Sequence, residues 1–253
     1  MKKHISYSEL RTWTECPYKR KLMYLDRVKK FIGNEFTAFG RALHFLCENL
    51  VFDKVEDPED FFNLSFEKEL ESAGIEETDL VKEMRTQALQ ITPQIIPQLT
   101  KIFGEYEVFS VEEQLYQPIK DSNTGYNFKG FIDLVIRTND GKFHIIDWKT
   151  CSWGWDAKKR SDKYITYQLT LYKKFWCEKY EVPPNMVETH FALLKRTAKK
   201  DNVEIFRVTS GPRKVENATK LLTNALIHIS KKHHVKDRRS CQFCEFKKTK
   251  HCR

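Results

Sequence analysis

Two short apolar runs that contain charged residues constrain the fold of this chain more than any other feature. The runs span 128–136 and 142–148, are rich in β-branched and aromatic residues, and are joined by the turn signal Thr138-Asn139-Asp140-Gly141. This pattern predicts a β-hairpin. Gly130-Phe131-Ile132-Asp133 lies in the first run, and Asp147-Trp148-Lys149 ends the second. Because a charge on an apolar strand costs free energy unless it is paired or bound, these side chains indicate a divalent-metal site.

The two aspartates of the hairpin suit Mg²⁺ or Mn²⁺, because hard divalent cations prefer oxygen ligands. Lys149 follows Asp147 by two residues, so the two side chains point to the same face of the strand. From there Lys149 can orient or deprotonate a water and stabilise charge on a phosphate, as in metal-assisted hydrolysis. The alternative is a surface ion pair on an edge strand, which the pattern Asp-x-Lys alone does not exclude.

The order of predicted elements indicates an α/β fold in one domain that spans 1–253. Residues 6–105 are predicted to be mostly helical, 106–210 to form the catalytic core, and 211–253 to form a helix and a basic, cysteine-rich tail. Helices are expected at 6–30 with one break, 35–52, 58–73, 76–103 with interruptions at Pro93 and Pro97, 163–180 and 212–232. Strands are expected at 108–119, 126–137, 142–149, 187–195 and 203–208.

Two helical pairs add to the pattern of the hairpin. Gly40 and His44 lie four residues apart before it, and Gln168 and Tyr172 lie four residues apart after it. Residues at that spacing share one helix face, and a glycine allows a close approach of the backbone. Taken singly, a helical histidine is more often a satisfied core residue, and a Gln/Tyr pair carries little information.

Taken together and in this order, the residues resemble the PD-(D/E)xK nuclease superfamily, and within it the RecB-like branch. That branch includes the RecB and AddB nuclease domains and the CRISPR-associated iron–sulfur exonucleases. The motifs are Gly-x₃-His on a helix, Gly-x-x-Asp and Asp-x-Lys on strands, and Gln-x₃-Tyr on a helix. The opening Ser6-Tyr7-Ser8-Glu9-Leu10, with Trp13 and Cys16-Pro17, also resembles the start of those domains. Ile132 precedes Asp133 where the family name has proline.

The resemblance implies a restriction-endonuclease-like αβββαβ core with a mixed central sheet, a helical N-terminal portion and a C-terminal cysteine cluster. It implies metal ligation by His44, Asp133, Asp147 and the backbone carbonyl of Trp148. Lys149 would serve the nucleophilic water, and Gln168 and Tyr172 would position the site or the DNA backbone. On the first strand, Glu112 and Glu113 are equal candidates for an accessory carboxylate.

The chain has seven cysteines, and three of them cluster near its end. Cys47, Cys151 and Cys177 occur singly and are expected to be small buried hydrophobic residues. Cys241-x₂-Cys244-x₇-Cys252 supplies three thiolates, and Cys16 is a candidate fourth. In the RecB-like branch such a set binds a [4Fe-4S] cluster that joins the two ends of the chain. Structural zinc is the alternative, because the last interval is longer here and His251 offers another ligand.

Basic residues are concentrated where nucleic acid could bind. The net charge is +9, and 231–253 contains nine Lys/Arg against two Asp/Glu, which fits either a solvated tail or contact with phosphates. Aromatic and basic residues also alternate directly after the second hairpin strand, a composition that holds single-stranded nucleic acid. The predicted DNA-binding residues are Trp153, Trp155, Lys158, Lys159 and Arg160 in that loop, and Lys195 and Arg196 in a basic turn. The alternative is that the tryptophans pack on the sheet and the lysines are solvated.

These observations predict a Mg²⁺/Mn²⁺-dependent deoxyribonuclease, an exonuclease on DNA ends or single strands in recombination, repair or replication. The alternatives are a structure-specific endonuclease, a catalytically silent DNA-binding subunit, and an adaptor organised by the terminal cysteines. No Gly-x₄-Gly-Lys-Ser/Thr motif is present, so a helicase or recombination partner would supply any unwinding. No apolar run is long enough to cross a bilayer and no secretory h-region follows Met1, so an intracellular, cytoplasmic location is expected.

Overall fold

The helices and strands follow one another in the order that the sequence predicts. The structure is a computed structural model that describes residues 3–28, 33–120 and 122–252, so positions 29 and 30 of the predicted first helix lie outside the described residues. The strands are β1 (His4–Ser6), β2 (Tyr106–Pro118), β3 (Asn127–Thr138), β4 (Phe143–Cys151), β5 (Val187–Lys195) and β6 (Val203–Arg207). The α-helices are α1 (Tyr7–Glu15), α2 (Pro17–Arg20), α3 (Glu35–Leu50), α4 (Pro58–Ala73), α5 (Asp79–Ile91), α6 (Ile95–Phe103), α7 (Ala157–Ser161), α8 (Lys163–Tyr180) and α9 (Pro212–Ser230).

The predicted hairpin is the centre of one mixed six-stranded sheet. The strand order is β1-β3-β4-β5-β6, with β2 also paired to β3. β2, β3 and β4 pair antiparallel, whereas β1 runs parallel to β3, and β5 runs parallel to β4. The parallel β4–β5 pair needs a crossover, and α8 provides it between them. The predicted mixed αβββαβ core is therefore confirmed.

Helices cover both faces of the sheet. On one face, α3–α6 form an apolar core with Ile146 and Trp148 of β4. On the other face, α1, α8 and α9 pack against Phe128 of β3 and Ile145 of β4. The apolar residues of α3 recur at helical spacing, which explains why one side of this helix is buried against the sheet. None of the helices in the described ranges is long and apolar enough to span a membrane.

Three details differ from the sequence-based expectation. The helical stretch after Glu76 has one break, at Thr92–Gln94, because Pro97 lies in the first turn of α6, where proline is tolerated. β1 was not predicted, since its three residues are held only by parallel pairing with 127–129. α7 was also not predicted, being a single short helix that is capped by the Asp156 carboxylate, which accepts from Lys159 N.

Candidate active site

The site lies where the two central strands separate. β3 and β4 pair at residues 134–137, while β1 pairs with β3 nearer its start. Asp133 occupies the point of separation, and its Oδ2 accepts a hydrogen bond from the backbone N–H of Trp148 at 2.7 Å. A side chain thus takes the place of a backbone partner there. This hydrogen bond holds the Asp133 carboxylate between the two strands.

The alternation of side chains changes at the same point on β2 and β3. Val111 and Leu134 are register partners on the α3–α6 face, whereas Glu113 and Ile132 are partners on the opposite face. Glu112 lies between them with a φ of 46°, in the left-handed region that few non-glycine residues adopt. A residue in this conformation breaks the alternation of the strand, so the side chains that follow it point to the other face of the sheet. Glu112 is consequently near Asp133, whose pKa it helps to raise.

α3 brings His44 to the strand gap. Gly40, one turn earlier, permits the close approach, because a Cβ there would lie 3.2 Å from Thr150 Oγ1 of β4. His44 Nδ1 lies 3.8 Å from Asp133 Oδ2, and the imidazole also hydrogen-bonds to the backbone of Trp148. Burial, and then the charge of Lys149, lowers the pKa of His44 to about 4. The imidazole is therefore neutral near pH 7, the form that binds metals.

Asp147 is held by groups from its own strand and from α8. Its Oδ1 accepts from Gln168 Nε2 at 2.8 Å, and its Oδ2 forms an ion pair with Lys149 Nζ. Gln168 Nε2 also lies 3.2 Å from the Tyr172 hydroxyl. Tyr172 packs on Gly130, where an added Cβ would lie 2.8 Å from its Cε1. Glycine is thus the residue that leaves room for this ring, which explains its place in the Gly-x-x-Asp motif.

The two aspartates form an electrostatically unbalanced pair. Burial raises the pKa of Asp133 and of Asp147, and the charge of Asp147 raises that of Asp133 further. Lys149 is the nearby cation that lowers both. Two buried carboxylates beside a backbone carbonyl and a neutral imidazole are a donor set that fits a divalent cation. A cation bound there would offset the repulsion between the carboxylates.

Glu48 is a site residue that the sequence analysis missed. It lies one turn after His44 on α3, and its carboxyl hydrogen-bonds to that of Glu112. Burial, and then the charge of Glu112, raises the pKa of Glu48 to about 7. The i,i+4 spacing from His44 was the available signal. Glu113 instead binds Lys179 and Tyr180, so Glu112 is the one of the two candidates that lies at the site.

A cleft of about 580 Å³ opens beside these groups. Lys149, Gln168 and Tyr172 form part of its lining. The remainder comes from α1, β1 and the start of β3, and it includes Arg11, Lys129 and the exposed ring of Phe131. None of these latter three residues was among the predicted site residues. The cleft combines positive charge with an exposed aromatic ring, which is the combination that single-stranded nucleic acid requires.

The structure corrects part of the predicted DNA-binding set. Trp153 is 68% exposed, whereas Trp155 is 8% exposed and packs edge-on against Phe191 and Phe206. Arg196 is also buried, and it donates to Gln87 Oε1 and Ser152 Oγ at 3.0 Å. A buried ring cannot stack on a base, and a buried guanidinium with protein partners cannot reach a phosphate. Trp155 and Arg196 are therefore structural residues in this conformation.

The remaining predicted cations divide into two groups. Arg160 and Lys195 both contact Glu204, at 2.6 Å and 3.5 Å, and so have a partner within the protein. Lys158 and Lys159 are exposed on α7, with Lys159 Nζ 4.7 Å from the ring centre of Trp155. These two lysines and Trp153 are the members of the set that are free to meet a ligand from solvent.

The four candidate cysteine ligands line one cavity of about 270 Å³ between α2 and the C-terminal segment. Cys16 caps the N-terminus of α2, and its Sγ lies 3.5 Å from Lys19 N and 3.3 Å from Asp237 N. Backbone contacts hold the two chain segments together, since Tyr18 N donates to the carbonyl of Val235. Cys47, Cys151 and Cys177 lie elsewhere, the first and last of them buried.

The sheet order, the helices on both faces and the carboxylates at the strand gap define a restriction-endonuclease-like α/β protein. Residues 4–249 match the PD-(D/E)XK nuclease superfamily, and the chain belongs to that superfamily. It is therefore a nuclease by family, as the motifs predicted. A search of curated proteins gives no significant match.

Two solved structures are similar to this chain. A protein of Eubacterium rectale, provisionally designated an exonuclease, aligns with a TM-score of 0.63 at 14% identity, over 96% of this chain and 86% of that chain. At this identity the likeness bears on the fold alone. The structure of SSO0001 aligns at 14% identity over 94% of this chain and 93% of that chain, with a TM-score of 0.39 that is too low to support an argument.

Proposed function

We propose that this chain is a Mg²⁺- or Mn²⁺-dependent deoxyribonuclease that removes nucleotides from DNA ends or single strands. The observation that carries the proposal is the convergence of His44, Asp133, Asp147 and Lys149 at the gap between β3 and β4. A catalytically silent subunit would not need a lysine beside a buried carboxylate pair. A structure-specific endonuclease remains the alternative activity.

In this proposal the donor groups at the strand gap hold the ion. They are the Asp133 and Asp147 carboxylates, the Trp148 carbonyl and the His44 imidazole. The chemistry that such an ion supplies when bound is polarisation of a phosphate and activation of water. Lys149 stabilises the negative charge that develops on the phosphate and orients the attacking water. Gln168, which Tyr172 contacts, donates to Asp147 Oδ1 and so directs Oδ2 toward Lys149.

The test is a cleavage assay on four substrates: linear and circular DNA, each single- and double-stranded, with a label at one end. An exonuclease degrades the linear forms in the presence of Mg²⁺ or Mn²⁺ and leaves the circles intact, and the position of the label gives the polarity. A chelator should stop the reaction. Cleavage of circular DNA would favour the endonuclease, and no cleavage of any form with either metal would overturn the proposal.

We further propose that a single strand reaches the site through the cleft lined by Arg11, Lys129 and Phe131, with Trp153, Lys158 and Lys159 as outer contacts. The cations neutralise phosphates, and the exposed rings of Phe131 and Trp153 stack on bases. For cleavage inside a cell, any unwinding would come from a helicase or recombination partner.

Removing Arg11 and Lys129 together should weaken single-strand binding and reduce its salt dependence. The slope of log K against log salt is negative, and each lost phosphate contact reduces its magnitude by about 0.7. Affinities of Arg11→Ala/Lys129→Ala and of Trp153→Ala are measured across a salt series, with Lys101→Ala of α6, on the opposite face of the sheet, as the matched control. Removing the ring of Trp153 is expected to cost about 1–3 kcal/mol of binding free energy with no change in slope. Unchanged affinity in both variants would show that the strand takes another path.

The cysteine cavity is proposed to hold a [4Fe-4S] cluster. The volume of the cavity is about 270 Å³. A single ion needs no more than the space of one water, about 30 Å³, so the cavity is large enough for a cluster of several atoms. Backbone N–H groups point at Cys16 Sγ, as is common around cluster sulfurs. Cations also outnumber acids in the lining, which suits a cluster with four thiolates. These cations are Lys19, Lys236, Arg238, Lys247 and Lys248.

Anaerobically purified protein is expected to contain about four iron atoms per chain, and Cys244→Ser should lose them. Cys177→Ser, a cysteine that lies outside the cavity, is the control and should keep its iron. Metal analysis and visible absorbance measure both. If the protein instead contains one zinc per chain, and Cys244→Ser loses it, the site binds structural zinc and not a cluster. Equal metal content in the wild-type and Cys244→Ser proteins would contradict the proposal of a metal site in this cavity.

A further inference from the structure

Three metal-binding side chains converge at the other end of the β4–β5 pair. The two strands are parallel, with His144 opposite Glu188, and His190 follows Glu188 by two residues on the same face. His144 Nδ1 lies 3.1 Å from His190 Nε2, which lies 3.9 Å from Glu188 Oε2. One ligand atom from each residue lies within 4.8 Å of the others. The register of the strands therefore builds a two-histidine, one-carboxylate cluster.

We propose that this cluster is a binding site for a zinc-type transition-metal ion, separate from the nuclease site. With bonds of about 2.0–2.1 Å, two ligands of a tetrahedral zinc are about 3.3 Å apart. The N–N separation of 3.1 Å is already close to that value. Glu188 is only half-buried, so its carboxylate can rotate to close the longer gap. Two imidazoles and one carboxylate favour zinc over Mg²⁺, which prefers oxygen alone.

The outer partners of His144 present its Nδ1 lone pair to the cluster. Thr138 Oγ1 lies 2.5 Å from Asp140 Oδ1 and 3.1 Å from His144 Nε2. The hydrogen bond from Thr138 first, and contacts with Lys142 next, lower the pKa of Asp140 to about 2, so its carboxylate only accepts. Thr138 must donate to Asp140 and accept from His144 Nε2–H. A hydroxyl and a carboxylate behind a histidine are the outer-shell pattern of metal sites.

The other two ligands also have neighbours that orient them toward the cluster. Arg207 Nη2 lies 3.2 Å from Glu188 Oε1, which leaves Oε2 directed at His190. The Phe103 ring covers both imidazoles, with centroid distances of 4.8 Å and 5.0 Å. Burial, and then the proximity of His144, lowers the pKa of His190 to about 3.

Without an ion, the proton balance allows one hydrogen bond in the cluster. His190 Nε2–H donates to His144 Nδ1, since His144 carries its own proton on Nε2. Ion binding at His190 Nε2 requires that this proton move to His190 Nδ1, and no net proton is released. His144 precedes Asp147 by three residues, about 10 Å along the strand, so the ion would clip β4 to β5 away from the catalytic groups.

The experiment measures zinc uptake by the full-length protein at buffered free zinc, with zinc and iron determined separately. Wild-type protein is expected to bind one more zinc than Glu188→Gln or His190→Asn. Thr138→Val should retain the site with about 10- to 100-fold weaker affinity, since it removes only the outer partner. Zinc should raise the Tm of the wild-type protein more than that of Glu188→Gln, which keeps the other two proposed metal sites.

Three variants serve as controls. His233→Asn removes an exposed histidine next to His228 and should keep the extra zinc. Asp133→Ala and Cys244→Ser remove groups of the other two proposed metal sites and should also keep it. Equal zinc uptake and affinity in wild type, Glu188→Gln and His190→Asn would overturn the proposal. If His190→Asn does not fold, Glu188→Gln decides alone, because its side chain lies at the edge of the cluster.

Discussion

Lys149→Ala and Asp133→Asn are each expected to reduce the rate of DNA cleavage by about 10²- to 10⁴-fold. Lys149 is the cation paired with Asp147, so its loss removes the charge that is proposed to stabilise the phosphate. Asp133→Asn keeps the shape of the side chain but removes the negative charge that the proposed metal requires. Single-turnover cleavage of end-labelled linear DNA, with protein in excess, measures the chemical step directly.

The matched control for this prediction is Glu113→Gln. Glu113 is adjacent to Glu112, yet it binds Lys179 and Tyr180 instead of the strand gap, so its loss should leave the cleavage rate near that of wild type. The cleavage rate of Glu112→Gln is expected to lie between that of Glu113→Gln and those of Lys149→Ala and Asp133→Asn. The reason is that the charge of Glu112 acts on Asp133 through space. Circular dichroism and Tm show whether each variant is folded. Wild-type rates in folded Lys149→Ala and Asp133→Asn would disprove the assigned roles.

Arg20→Ala is expected to lower the free energy of unfolding by about 3–5 kcal/mol. Arg20 donates from Nε and Nη2 to Glu9 Oε1, at 2.9 Å and 2.6 Å. The two side chains are 1% and 0% exposed, so the variant removes a buried positive charge that is hydrogen-bonded to a buried carboxylate. Urea unfolding of the full chain gives both the midpoint and the m value, which together separate a stability change from a change in the surface exposed.

The double variant Glu9→Leu/Arg20→Met distinguishes the loss of the buried ion pair from the loss of packing. Replacing both partners by apolar residues of similar size is often neutral, so the double variant should be more stable than Arg20→Ala. Lys220→Ala serves as the exposed control, since its pair with Glu216 lies on the surface, where an ion pair contributes little to stability. An Arg20→Ala effect as small as that of Lys220→Ala would show that the buried pair is not needed for stability.

Much of the fold was predictable because it depends on local properties of the chain. The helix at 58–73 and the helix at 163–180 were predicted with the bounds that the structure has. Pro58 is a local start signal for the first of these helices, and Pro183-Pro184 is a local stop signal after the second. The hairpin was predicted by its turn residues and by strand composition. In the same way, motif spacing singled out His44, Asp133, Asp147 and Lys149 before their positions were known.

The surface of the site was harder to predict, because burial depends on which segments meet. Trp153 and Trp155 have the same composition around them, yet one is exposed and the other packs against Phe191 and Phe206. Glu112 and Glu113 were equivalent in sequence until the backbone conformation of Glu112 directed them to different neighbours. Neither difference can be predicted from the residues that are close to these positions in the chain.

The sequence by itself determined the order of helices and strands, the hairpin, and the residue types that mark the chain as a nuclease. These follow from periodicity, turn chemistry and the cost of a charge on an apolar strand, which act between near neighbours. Only the tertiary structure decided that Glu48 meets Glu112, that Arg11 and Lys129 line the cleft, and that His144 faces His190. These contacts join residues far apart in the chain, and strand register and helix packing bring them together.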